Sequence, residues 1–84
     1  MMNKTHKIYS VTVWGATGLW GDQWETFYLS PWFMSKEDVE KELDRLKSIS
    51  RSTLEDKYNA DFNNNPYEIE EADLVIPEDM IQIN

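Results

Sequence analysis

The chain has no cysteine, a single histidine, three glycines and three prolines in 84 residues, and no lysine or arginine beyond Lys57. Without cysteine there are no disulfides, no thiolate nucleophile and no thiolate metal site, which agrees with a reducing compartment. The lone His6 lies in a polar opening segment, residues 1–6, expected to be a flexible tail, so histidine-based acid/base chemistry has no visible partner. No apolar run reaches the length of a signal peptide core or a membrane span, and the expected location is cytoplasmic. The missing C-terminal cations leave seven acids and no base in residues 61–84, and the whole chain carries a formal charge of −8. That balance disfavours direct attraction to nucleic-acid phosphates or anionic lipid and favours a cationic partner, although acidity also serves plain solubility.

What is present is aromatic mass, concentrated early. All four tryptophans and eight of the aromatic residues precede residue 35. A chain this short buries only about 60–65% of its unfolded surface, so a few large side chains must supply much of the stabilisation. Aromatics that fail to fit inside remain available to a partner. On type and position Trp14, Trp24, Trp32 and Phe33 are expected in the core.

Residues 7–14 alternate, with Tyr9, Val11 and Val13 on one face and Ser10 and Thr12 on the other, which predicts a strand. Residues 24–30 predict a second strand ending at Pro31, antiparallel to the first. Between them Gly15, Gly18 and Gly21 read as turn formers. Their spacing is not that of a dinucleotide loop, and no helix follows to hold a phosphate. The strands can extend into this segment, and Leu19 and Trp20 lie near its tip.

Ser35 predicts a helix N-cap, with Glu37, Asp38 and Glu40 beside the positive end of the dipole and Val39, Leu43 and Leu46 forming an apolar stripe. Ser48–Ser52 weakens the pattern, and Ser52 with Glu55 reads as a second capping box. One long, bent helix is preferred over two short ones meeting near residue 51. Asn63-Asn-Asn-Pro66 is expected to terminate it. Short apolar runs at 74–76 and 80–83, separated by a Pro77-Glu78-Asp79 turn, complete the chain. The expectation is a single acidic α+β domain over residues 1–84. Its antiparallel sheet has an N-terminal hairpin, helix packed on one face and one or two C-terminal strands, in the order ββαβ or ββαββ.

Catalytic and metal chemistry find little support. No serine or threonine has a visible activating base. Residues 61–65 resemble the start of a calcium loop, but Pro66 stands where the turn needs glycine and Ala72 where a bidentate glutamate should close the site. The chain is therefore read as non-enzymatic, with no cofactor and no metal.

The acids are the better candidates. On a strand Glu68 and Glu70 would project to one side about 6.8 Å apart, near twice the roughly 3.4 Å advance per phosphate along one DNA strand. Glu40 and Asp44 would lie on one helix face about 6 Å apart along its axis. Together with Asp61, Glu71, Asp73, Glu78 and Asp79 they are expected to steer a basic protein, with Trp20 anchoring at short range inside a polar rim that includes Asp22. The expected function is a non-catalytic protein-binding module. By analogy with small acidic inhibitors encoded by viruses of bacteria, it would occupy a basic nucleic-acid-binding surface of a larger defence or DNA-processing enzyme. Two alternatives stand beside it: an aromatic platform for an uncharged ligand such as a saccharide, and an assembly subunit adding a terminal strand to a neighbour's sheet.

Overall fold

The computed structural model describes residues 3–77. Its elements are β1 (Asn3–Thr17), β2 (Gln23–Tyr28), α1 (Lys36–Lys47), α2 (Arg51–Tyr58) and β3 (Glu68–Pro77). The strands form one antiparallel sheet in the order β2-β1-β3, so the class is α+β, with an N-terminal hairpin and a C-terminal strand. None of the described helices is long and apolar enough to cross a membrane. The second apolar run, 80–83, lies outside the described residues, as do Glu78 and Asp79.

β1 is the spine of the sheet. Its C-terminal half pairs with β2, from Thr12 opposite Tyr28 to Thr17 opposite Gln23. Its N-terminal half pairs with β3, from Asn3 opposite Pro77 to Thr12 opposite Glu68. Residues 3–6, expected to fray, are thus strand. Lys4, Thr5 and His6 gain a ladder partner that lies some seventy residues away in sequence, which no local pattern announces. The hairpin strands do run into the glycine-rich segment and leave a short turn, closed by the Gly21 amide donating to the Gly18 carbonyl at 3.1 Å. Both glycines take positive φ, 97° and 64°, which explains their presence there.

Past β2 the chain bulges and then rejoins β1. The Leu29 amide donates to Val11 O, Tyr9 and Phe33 exchange both backbone bonds, and Ser30, Pro31 and Trp32 bow out between these contacts. Ser30 replaces the missing ladder group by accepting from the Val11 amide through Oγ, at 2.9 Å. This keeps Pro31 out of the ladder, as its lack of an amide donor requires.

Two helices replace the expected single one. α1 starts where Ser35 accepts from the Asp38 amide and stops at Ser48. α2 restarts after Ser50, whose hydroxyl accepts from the Thr53 amide, so Ser50 and not Ser52 is the second cap. α2 ends early, at Asn59 in left-handed conformation (φ 52°), and not at Asn63–Pro66. The Glu55 side chain takes no part in the N-cap; its carboxylate accepts from the Phe62 amide at 2.8 Å.

The helices cover one face of the sheet. Val11, Val13, Phe27 and Leu29 meet Val39, Leu46, Leu54 and Phe62 in a single buried cluster, with Tyr9, Phe33 and Leu43 packed at its margin. Burial of such side chains contributes roughly 1.5–3 kcal/mol each, the main favourable term for a chain of this size.

Candidate functional site

Residues directly opposite one another in an antiparallel sheet share a face, so the register separates two sets of side chains. Val11, Val13 and Phe27 point to the helices. Thr12, Trp14 and Ala16 on β1, Trp24, Thr26 and Tyr28 on β2, and Glu68 and Glu70 on β3 belong to the other face. No described element covers that second face above its aromatics.

Four aromatic side chains stand there half-exposed: Trp14 at 50%, Trp24 at 46%, Tyr28 at 44% and, from the bulge after β2, Trp32 at 41%. They form two pairs. The indoles of Trp14 and Trp24 stack with centroids 6.1 Å apart and planes at 17°, and Tyr28 meets Trp32 at 5.6 Å and 45°. The backbone beneath is tied down from the helical side. Asn65 Nδ2 donates to the Trp14 carbonyl at 2.6 Å, and the Tyr58 hydroxyl donates to the Tyr28 carbonyl at 3.3 Å. Ser10, buried beside this patch, donates its hydroxyl to Ser30 O at 2.9 Å and so anchors the bulge that carries Trp32.

Acid borders the aromatics. The neighbouring Glu70 carboxylate holds the Tyr28 phenol above its ordinary pKa, since it favours the phenol that can donate to it and opposes a second negative charge beside it. Among the described residues no lysine or arginine pairs with Glu68 or Glu70; the ion pairs lie elsewhere, on Lys7, Lys41 and Arg45.

The expected core positions of Trp14, Trp24 and Trp32 are thereby corrected, while Phe33 does pack against the core. The signal was present in the sequence. Trp14 is in phase with Ser10 and Thr12, not with Val11 and Val13, and Trp24, Thr26 and Tyr28 alternate against the buried Phe27. Hydrophobic type outweighed a two-residue period that pointed outward.

The remaining candidates divide among several surfaces. Trp20 is 83% exposed at the hairpin tip beside exposed Asp22. Glu40 and Asp44 are exposed on α1. Asp61 accepts from the Asn63 amide at 2.8 Å and bridges its backbone to Ala16, which gives it a turn-forming role. Glu68 and Glu70 share the open face, as the strand period requires. Glu71 and Asp73 fall on the opposite face, where Lys7 Nζ reaches them at 3.2 and 2.7 Å and is itself held above its usual pKa by both carboxylates. The described acids therefore do not form one continuous anionic face. Among the described residues no group of three or more acids and histidines is placed to hold a metal ion.

One concave region lies apart from all of this, at the break between the helices, lined by Lys47, Ile49, Ser50, Arg51, Pro66 and Tyr67. The Arg51 guanidinium lies over the Tyr67 ring, 4.6 Å from its centroid, with its buried Nη1 unpartnered among the described residues. Among the described residues, the open sheet face gathers four large exposed aromatic side chains beside unpaired carboxylates. Comparison with family models, with curated proteins and with solved structures returns no match for this chain.

Proposed function

We propose that the chain is a non-catalytic protein-binding module that docks a cationic partner on the open face of its sheet. The observation that carries this reading is the exposed group Trp14, Trp24 and Tyr28 on strands and Trp32 on the bulge after β2, bordered by Glu68 and Glu70. A rigid aromatic patch supplies contact area at low entropic cost and is the usual seat of binding hot spots. Carboxylates beside aromatic faces suit arginine and lysine, which pair with the acid and stack on the ring. The net charge of −8 steers such a partner from a distance. Trp20 at the hairpin tip extends the contact on one side. A basic surface built for nucleic acid is one such partner, and a module seated on it acts as an inhibitor.

The test is tryptophan emission during titration with an arginine-rich peptide, at low and at high salt. The reading expects a change in emission that weakens steeply with salt and disappears in the Trp14→Ala/Trp24→Ala double variant. Titration without effect at low salt sinks it. A second reading, a platform for a neutral saccharide, is favoured by the near-parallel Trp14–Trp24 stack. It expects the same emission change with sugars and no dependence on salt.

A further inference from the structure

The register leaves one edge of β1 open. On the β2 side its neighbour ends at the Tyr9–Phe33 bridge, so, among the described residues, 3–8 are paired with β3 alone. Those residues and 72–77 make a two-stranded ribbon, about 20 Å long at 3.3 Å per residue. It contributes to a molecule of 50 × 26 × 20 Å whose radius of gyration, 16.1 Å, exceeds the roughly 12 Å of a compact chain of this length. A two-stranded ribbon is marginal by itself in water. This one carries exposed apolar side chains on both faces, Leu74 on the side of His6 and Val75 on the side of Thr5.

Which backbone groups are free follows from alternation along β1. Tyr9 and Val11 direct their amides and carbonyls toward the β2 side, to Phe33, Leu29 and the Ser30 hydroxyl, whereas Ala16 exchanges its bonds with Asp61 on the other side. Thr5 and Lys7, in phase with Tyr9, therefore present to that edge backbone groups with no partner among the described residues, and His6 does not.

Charge identifies the occupant. Two copies of a chain with charge −8 repel one another, and can meet only where the local charge vanishes. The ribbon is such a place, because Lys4 and Lys7 offset Glu71 and Asp73. Lys7 is in addition held by both of those acids, which mutes repulsion between two β1 edges. Two β3 edges, lined by acids, would repel. We propose that residues 3–7 of β1 pair antiparallel with the same residues of a second copy, centred on Thr5, which sets outward-bonding residues opposite one another. The joined arms then form a four-stranded segment, β3-β1-β1-β3, about a two-fold axis. An antiparallel pairing of identical strands closes on itself and leaves no further β1 edge to propagate.

The test is sedimentation equilibrium of the full chain with the Thr5→Pro variant as comparison. The expected species is twice the 10.0 kDa chain mass. Proline at Thr5 removes an amide that points away from β3, so T5P is expected to be monomeric with an unchanged circular dichroism spectrum. A wild-type chain that stays monomeric at every concentration overturns the proposal, and so does a T5P variant that dimerises like the parent. Should T5P fail to fold, hydrogen exchange of the wild-type Thr5 and Lys7 amides decides. Protection that rises with protein concentration supports the dimer. Protection independent of concentration assigns the edge to the chain's own residues and overturns it.

Discussion

Gly15 lies inside β1 with the Phe62 ring against it. A β-carbon built there would sit 2.8 Å from Phe62 Cδ1, 3.1 Å from Phe27 Cε2 and 3.2 Å from the Asp61 carbonyl. Overpacking of this kind costs about 1–3 kcal/mol, more than the roughly 0.4–1 kcal/mol gained when alanine stiffens the unfolded chain. Gly15→Ala is expected to lower stability in chemical denaturation, although the sequence presents this residue as a turn former like Gly18 and Gly21. Tyr28 makes a second prediction at this scale. The Glu70 carboxylate raises its pKa, so Glu70→Gln is expected to bring the phenol's titration, followed by ring chemical shifts, back toward the ordinary tyrosine value. Phase was legible in these residues: Tyr9, Val11 and Val13 share the helix-covered face, as the alternation requires. The outward direction of Trp14 and Trp24 was encoded by the same alternation, and only their hydrophobic character argued otherwise.

The helical segment is two elements because Ser50 captures the Thr53 amide and begins a new first turn. Ser50→Ala is expected to cost about 1 kcal/mol, read as a lower midpoint in urea. On α1 the Arg45 guanidinium pairs with Glu42, whose side chain is mostly buried, and holds that carboxyl below its ordinary pKa. The sign follows directly. A group whose pKa is lower in the folded state stabilises fully above its unfolded value and loses that contribution as pH falls through the folded one. The stability difference between the parent and Glu42→Gln is therefore expected to be largest near neutral pH and to vanish in acid, by thermal melts across that range. Ser35, the acid-led first turn and the Val39–Leu46 stripe were readable because each is local. The weakening at Ser48–Ser52 was also visible, but not which serine caps the second helix, since Ser50 and Ser52 are equivalent as types.

At the scale of the molecule the two proposed contacts respond to salt in opposite directions. Docking of a cationic partner is expected to weaken as salt rises, because the attraction is screened. Pairing of two copies is expected to strengthen, because their repulsion is screened. Measuring both equilibria across one salt series separates the surfaces without any substitution. The sequence made the acidity plain but not its distribution, since the face taken by Glu68 or Glu71 depends on which side of the sheet the helices cover. The same topology has a consequence for synthesis. β1 precedes β3 in the chain, and the larger part of its ladder waits for that later strand. At translation rates of about 5–20 residues per second, the leading strand spends seconds without that partner. The closing contact spans nearly the entire chain, a high contact order that places folding among slow small domains. Chains arrested before β3 are thus expected to be protease-sensitive at residues 3–8, and chains that include β3 to be protected there.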